Sequence, residues 1–137
     1  MERTFTILKP DTVSAGKAGA VLSVIEKEGF KIRAMKMLHL TQAEAEGFYH
    51  VHKARPFFGS LVTFMTEGPI VAAVLEADDA IQKLRKVMGA TDPAKAEPGT
   101  IRKQFATNIE RNAIHGSDGP ETATFEIAYF FSQLEIV

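Results

Sequence analysis

His115 lies in the stretch Asn112-Ala113-Ile114-His115-Gly116-Ser117-Asp118, ahead of a tight turn and among small and polar residues. Glu126 follows eight residues after Asp118, on a segment that reads as a helix face. A histidine oriented by a nearby carboxylate is a candidate nucleophile or general base. With an unperturbed pKa near ~6.5 the ring is substantially neutral at neutral pH, and a neutral ring nitrogen can attack phosphorus where an imidazolium cannot. Gly116 beside it is expected to leave room for a bulky phosphate. Upstream, Lys9, Arg85, Thr91 and Arg102 are the residue types that grip phosphate oxygens: an ammonium, a hydroxyl donor and two guanidiniums that bind in a bidentate way. Together these residues point to phosphoryl transfer through a covalent phosphohistidine.

Each residue also has a plainer use. His115 could be a partly buried structural histidine, Lys9 a solvated lysine at a strand end, and Arg85 a partner for a helix dipole. Arg102 follows Pro98-Gly99-Thr100-Ile101, a turn that would aim it. Phe57 and Phe58 follow Pro56; an exposed ring there would make a stacking platform for a base, and two buried rings would simply fill the core. Tyr49 could donate its hydroxyl near the phosphate or pack at a helix surface. Asn112 could bind a sugar hydroxyl or cap a turn. His39, His50 and His52 read as surface or packing residues, and the histidine spacing does not follow zinc-ligand order.

The elements that must position these groups follow from periodicity. Thr4 to Leu8 reads as a strand that stops at Lys9-Pro10-Asp11. Val13 to Glu28 has helical spacing at Ala18, Val21, Leu22 and Ile25 and ends at Gly29. Residues 30–40 alternate as a strand. Thr41-Gln42-Ala43-Glu44 is a capping box that starts a second helix. Phe57 to Met65 forms a further helix, and Gly68-Pro69 a turn. Ile70 to Leu75 is a continuous apolar run, expected to be a central strand buried on both faces. Asp78 and Asp79 begin a helix that ends near Lys83, Arg85 and Lys86. Residues 89–99 read as an ordered surface loop, and Ala113 to His115 as a short strand. Pro120 opens a last helix carried by Ile127, Phe130, Phe131 and Leu134. No Gly-x-Gly-x-x-Gly follows the first strand, no P-loop pattern occurs and the strands do not alternate regularly with single helices, which argues against a Rossmann or P-loop fold. An α+β sandwich fits the order of elements better.

The chain has 137 residues, 45% of them hydrophobic and 24% charged, enough for one domain over residues 1–137. Net charge is −1, so binding of nucleic acid by bulk electrostatics is not expected. There is no cysteine, which excludes disulfides, thiolate metal sites and thiol catalysis. No segment has the pattern of a signal peptide or a membrane span. The expectation is a soluble cytoplasmic domain.

Several segments, in order and spacing, carry a resemblance over nearly the whole length. They are Glu2-Arg3-Thr4-Phe5 leading to Lys9-Pro10-Asp11, Arg55-Pro56-Phe57-Phe58, Gly68-Pro69, Gly89-Ala90-Thr91-Asp92-Pro93, Pro98-Gly99-Thr100-Ile101-Arg102 and the His115 stretch. With them the chain resembles the nucleoside diphosphate kinases. The resemblance implies a ferredoxin-like fold, a four-stranded antiparallel sheet in βαββαβ order covered by helices. It implies a ping-pong reaction in which a nucleoside triphosphate gives its γ-phosphate to His115 and a nucleoside diphosphate takes it. Glu126 and Ser117 would support His115. Lys9 and Tyr49 would sit near the phosphoryl group, with Lys9 and Asn112 at the ribose 3′-hydroxyl. Arg85, Thr91 and Arg102 would hold the other phosphates. Phe57 would stack on the base, with Leu61 and Ile109 lining that slot. Magnesium would arrive on the nucleotide, with Asp118 close by. Substrates would be ribo- and deoxyribonucleoside tri- and diphosphates, and the chain would form a homo-oligomer, a tetramer or hexamer built from dimers. The long C-terminal tail of some members is not seen after Val137, which leaves both assemblies open.

Thr12 stands where the family usually has glycine, Phe48 where many members have histidine, and Gly119 where serine is common. Other readings make different demands. A catalytically silent nucleotide-sensing module of this fold predicts an intact pocket without the nucleophile. A histidine-dependent phosphohydrolase predicts release of phosphate. A nucleic-acid-binding role wants a basic, aromatic-studded face.

Overall fold

Two strands rich in apolar residues form the middle of the sheet, because only a strand flanked on both sides can bury every side chain it carries. They are β1 (Glu2–Leu8) and β3 (Ile70–Ala77), paired antiparallel from Glu2 opposite Ala77 to Leu8 opposite Val71. β2 (Lys31–Leu38) flanks β3, and the short β4 (Ile114–Gly116) flanks β1, giving the order β2-β3-β1-β4 with every neighbour antiparallel. The computed structural model describes all of residues 1–137.

The two-residue period of β3 splits the core in two. Ile70, Ala72 and Val74 join Phe5, Ile7, Val62, Met65 and Phe131 on one face. Val71, Ala73 and Leu75 join Val21, Ile25, Leu84, Ile101 and Ile114 on the other. The first face is covered from α3 (Gln42–Phe48), α4 (Phe58–Met65) and α7 (Pro120–Phe130). The second is covered from α2 (Ala18–Lys27), α5 (Ala80–Met88) and α6 (Ile101–Phe105). Chain order through the strands and the two crossover helices α2 and α5 is βαββαβ, the ferredoxin-like arrangement that the resemblance implies. No helix is long and apolar enough to cross a membrane.

Several boundaries follow local chemistry. Thr41 accepts from the Glu44 N–H and Glu44 accepts from the Thr41 N–H, so the capping box forms as read. The helix expected over Val13 to Glu28 is two: a first turn, α1 (Pro10–Ser14), then α2. Between them the Lys17 N–H turns back to the Thr12 carbonyl. Asp79 does not cap α5 with its side chain; the Glu2 carboxylate, from the far end of β1, accepts the Ile81 N–H at 2.9 Å instead. The last helix stops at Phe130. Phe131 is extended and buried, and Leu134 is 93% exposed in a separate turn, where the Ser132 N–H donates to Glu135.

Gly89 closes α5 with φ +87°, a conformation that glycine adopts without steric cost. A Cβ there would stand 2.6 Å from the Thr100 hydroxyl and 2.7 Å from its Cβ. Thr100 in turn caps α6 by accepting the Lys103 N–H. Gly89→Ala is expected to lower unfolding free energy by roughly 1–3 kcal/mol, from backbone strain and overpacking together. A urea titration checks this, and an unchanged midpoint would contradict it.

Candidate active site

β4 pairs with β1 so that His115 lies opposite Ile7, and the Thr6 hydroxyl donates to the His115 carbonyl at 2.7 Å. The imidazole then enters the aromatic face of the core. Phe48 and Tyr49 present it edge-on at 5.5 and 6.3 Å between centroids, and Phe5 lies at 6.2 Å. Phe48, one of the departures from the usual family residue, is thus a wall of the histidine's setting.

Nε2 of His115 is 2.9 Å from Glu126 Oε1, and the Ser117 hydroxyl donates to that same oxygen at 2.6 Å. A carboxylate only accepts, so Nε2 carries the hydrogen, and in the neutral ring the free lone pair is on Nδ1. Ser117 is buried, while His115 keeps 19% of its side-chain surface open. Glu126 comes from α7 and Ser117 from the turn before it. That turn is closed by Thr122, whose hydroxyl accepts the N–H groups of Asp118 and Gly119. Gly119 itself is extended and offers no side-chain cap to α7; Thr122, at the third helical position, reaches back to its N–H instead.

Gly116 has a different purpose from the one expected. A Cβ there would meet Met88 Sδ at 2.6 Å and Leu84 at 3.1 Å. The glycine lets β4 lie close against α5, and the space that it frees belongs to Met88, not to a phosphate.

The backbone before His115 is held unusually. Ala113 has φ +73°, and the Ile114 N–H donates to the Asn112 carbonyl at 2.9 Å. That is a γ-turn with positive φ, the rare and strained kind. Asp11 accepts the Ala113 N–H at 3.0 Å, and the Ala113 carbonyl accepts from the Lys9 N–H at 2.9 Å and the Thr12 hydroxyl at 2.8 Å. On the other side Arg102 donates to the carbonyls of Gly89, Asn112 and Ile114.

One cleft of about 400 Å³ collects Lys9, Tyr49, Phe57, Leu61, Arg85, Thr91, Arg102, His115, Asp118 and Glu126. It continues into a slot of about 380 Å³ that adds Ile109 and Asn112. Every side chain to which the resemblance gives a role lines this region except Ser117, which lies beneath Glu126, and of the two neighbouring rings Phe57 lines it while Phe58 packs on the core. Lys9 Nζ donates to Asn112 Oδ1 at 2.8 Å across 103 residues of sequence. Burial lowers the Lys9 pKa to about 8, and the charge of Arg102 adds to the effect. Burial likewise draws Arg102 down to about 10, with Arg85 adding to it. The Tyr49 hydroxyl is pushed up by burial and then by the Glu126 charge, and it has no partner within the protein. Phe57 is 46% exposed and Ile109 59%, so the slot between them has open apolar walls. Asp118 pairs with Arg85 at 2.7 Å at the mouth. No group of three His, Cys, Asp or Glu side chains is arranged to hold a metal ion.

His52 was read as a surface or packing residue, yet it lines the cleft with its ring 5.6 Å from Phe57. The signal was available: it follows Tyr49 by three residues, one helical turn further on the same side. Thr122 and Glu110 also reach the cleft or its slot, and no pattern in the sequence marks them. A separate hollow of about 460 Å³ between α7 and the start of β1 is lined mostly by aliphatic side chains. Its charged members, Glu2 and Arg3, are already committed to the Ile81 N–H and to Glu76.

Comparison with known proteins agrees with this arrangement. The family profile described as Nucleoside diphosphate kinase matches residues 2–136. The nucleoside diphosphate kinase of Geotalea uraniireducens (strain Rf4) is 61% identical over 137 residues, covering 100% of both chains. That of Nitratidesulfovibrio vulgaris (strain DP4) is 58% identical over 137 residues, covering 100% of this chain and 99% of the relative. Among solved structures, the Aquifex aeolicus nucleoside diphosphate kinase superposes with a TM-score of 0.97 at 50% identity, covering 99% of each chain. The Halobacterium salinarum enzyme, solved in complex with CDP, gives 0.95 at 40% identity, over 99% of this chain and 91% of that one. Fold, cleft and relatives converge: the chain belongs to the nucleoside diphosphate kinase family and is a phosphotransferase acting on nucleotides.

Proposed function

We infer that His115 carries the phosphoryl group between nucleotides, and that residues 1–137 act as one domain in doing so. The observation that carries this reading is the relay in which Ser117 and His115 Nε2 both donate to Glu126 Oε1. It leaves Nδ1 as the nucleophile. Nδ1 attacks the γ-phosphorus, the N–P bond forms, and the bond to the β-phosphate oxygen breaks. The nucleoside diphosphate departs with that electron pair. Positive charge growing on the ring is met by Glu126 through a hydrogen bond that already exists, so little reorganisation is needed. A second nucleoside diphosphate then takes the phosphoryl by the reverse path.

The other residues position and neutralise, which is most of what phosphoryl transfer asks of a protein. Tyr49 offers its unpartnered hydroxyl to the transferring oxygens. Lys9 and Asn112, joined to each other, meet the ribose 3′-hydroxyl, with Lys9 also near the phosphoryl. Arg85, Thr91 and Arg102 hold the remaining phosphates, Arg85 exchanging Asp118 for them. Phe57 stacks on the base between Leu61 and Ile109, contacts that any base can make. This suits both ribo- and deoxyribonucleotides of every base. The edges of Phe5 and Phe48 pack against the His115 ring and fix its orientation.

Magnesium enters as part of the nucleotide. A single carboxylate at the mouth, Asp118, paired with Arg85, suits an ion held chiefly by phosphates and water, and not one caged by protein. The ion would supply charge neutralisation on the phosphates. The chain is further read as a homo-oligomer built from dimers, a tetramer or a hexamer. Met35 and Met37, 52% and 62% exposed on the open edge strand β2, are apolar surface that such contacts would bury. The cytoplasm is the compartment proposed.

Incubation with a γ-labelled nucleoside triphosphate and magnesium is expected to leave acid-labile phosphate on His115. Adding a different nucleoside diphosphate should move that label to it, and His115→Gln should carry none. Label elsewhere, or released only as free phosphate, would sink this reading.

Lys9 supplies a pH test. With its pKa at about 8 in the ligand-free protein, the ammonium is present below that pH and lost above it. Since kcat/KM reports the free enzyme, it should fall with a one-proton slope as pH rises through about 8. Bound phosphates favour the ammonium, so kcat should hold to higher pH. A kcat/KM that stays level to about pH 10 would show that the Lys9 charge is not needed.

A further inference from the structure

We propose that Thr12 is a positioning residue for His115, its hydroxyl holding the strained γ-turn at Ala113 that sets His115 relative to Asn112. The inference rests on the reading of His115 as the nucleophile. Ala113 is fully buried and adopts φ +73° although it carries a Cβ. Such a conformation persists only where its surroundings over-determine it. Three groups from one short stretch do so: the Lys9 N–H and Thr12 hydroxyl on the Ala113 carbonyl, and the Asp11 carboxylate on its N–H.

The turn matters because of what stands on either side. Asn112, on its N-terminal side, is bonded to Lys9 Nζ and faces the slot. His115, two residues after it, is fixed in register against Ile7. The Ala113 peptide is the swivel between the sugar end of the site and the nucleophile. Thr12 is 3% exposed, and its hydroxyl has the Ala113 carbonyl as its partner. Where the family usually has glycine, this chain therefore has an additional grip on the swivel. A loosened swivel leaves the nucleotide's binding groups in place but spreads the angle at which Nδ1 meets phosphorus. Such misalignment slows the chemical step more than binding.

The test compares Thr12→Val, which keeps the shape and loses the hydroxyl, with Thr12→Ser, which keeps the hydroxyl. Single-turnover phosphorylation of the intact protein is followed by rapid quench at saturating nucleoside triphosphate, and the Kd for a nucleoside diphosphate by calorimetry. Thr12→Val is expected to slow phosphorylation on the order of 10-fold while Kd stays within about 2-fold; Thr12→Ser should remain within about 2-fold on both. The same substitution in an Ala113→Gly background should cost less than about 2-fold, because glycine adopts positive φ without a clamp. If Thr12→Val does not fold, Thr12→Ala removes the same hydroxyl in a smaller residue. The proposal is overturned if loss of the hydroxyl leaves the rate unchanged, if Thr12→Ser is as slow as Thr12→Val, or if the cost is undiminished in the Ala113→Gly background. Failure of the parent protein to become phosphorylated on His115 would instead overturn the reading of the nucleophile.

Discussion

A buried guanidinium binds the working end of this protein together. Arg102 donates from Nε, Nη1 and Nη2 to the carbonyls of Asn112, Gly89 and Ile114, and so ties α6 to the end of α5 and to both sides of the γ-turn. β4 has only three residues and one partner strand, too little ladder to hold itself against the sheet. The guanidinium supplies what the ladder lacks. It adds a donor to the Asn112 carbonyl, which also takes the Ile114 N–H, and donates to the Gly89 and Ile114 carbonyls, in a buried setting where an unmade hydrogen bond costs most. His115 is therefore carried on a short strand that behaves as a rigid one.

That solution concentrates positive charge. Lys9, Arg85 and Arg102 crowd one cleft, and the first and last of them have lowered pKa values because burial and mutual repulsion both disfavour the charged forms. Asp118, Asp11 and Glu110 relieve this only in part. A polyanion relieves it much further, so the same groups that strain the empty site favour an occupied one. The fold tolerates the crowding because β3 is buried on both faces and supplies apolar packing far from the cleft.

Legibility in the sequence followed the range over which each interaction acts. The Ile70–Leu75 run announced a doubly buried strand because apolar packing on both faces leaves a continuous pattern. Thr41 and Glu44 announced a helix start because a cap is made within four residues. Glu126 was legible beside His115 because both belong to one strand-turn-helix unit, whereas the role of Ser117 came from the family resemblance. Interactions between distant segments left no such trace. Nothing in the local pattern links Glu2 to the start of α5, or Lys9 to Asn112, and their meeting is a product of sheet register. Periodicity also misled where spacing was helical but the backbone was not. Phe131 and Leu134 keep helical spacing after Phe130, yet the chain is extended at Phe131 and turns again under Ser132 and Glu135. Gly116 was read as making room for a phosphate, but the neighbour is Met88, supplied by a helix whose approach no local pattern reveals.

The end of the chain has a consequence for the sheet itself. β2 is an open edge, and the register slips at Arg33, whose carbonyl is thus free to turn outward. The Val137 N–H takes that carbonyl at 2.9 Å, while Lys36 reaches the Phe130 carbonyl and the Glu135 carboxylate. The final residues therefore lie along part of the edge like a seam tape. An unprotected edge invites strand addition from any chain with free backbone groups. Here the slip interrupts the ladder and the seam covers one of its acceptors, leaving Met35, Lys36 and Met37 as the stretch open to pairing. Val137 thus takes one acceptor of this edge and ties the segment after α7 to β2, while the rest of the strand keeps an unpaired side.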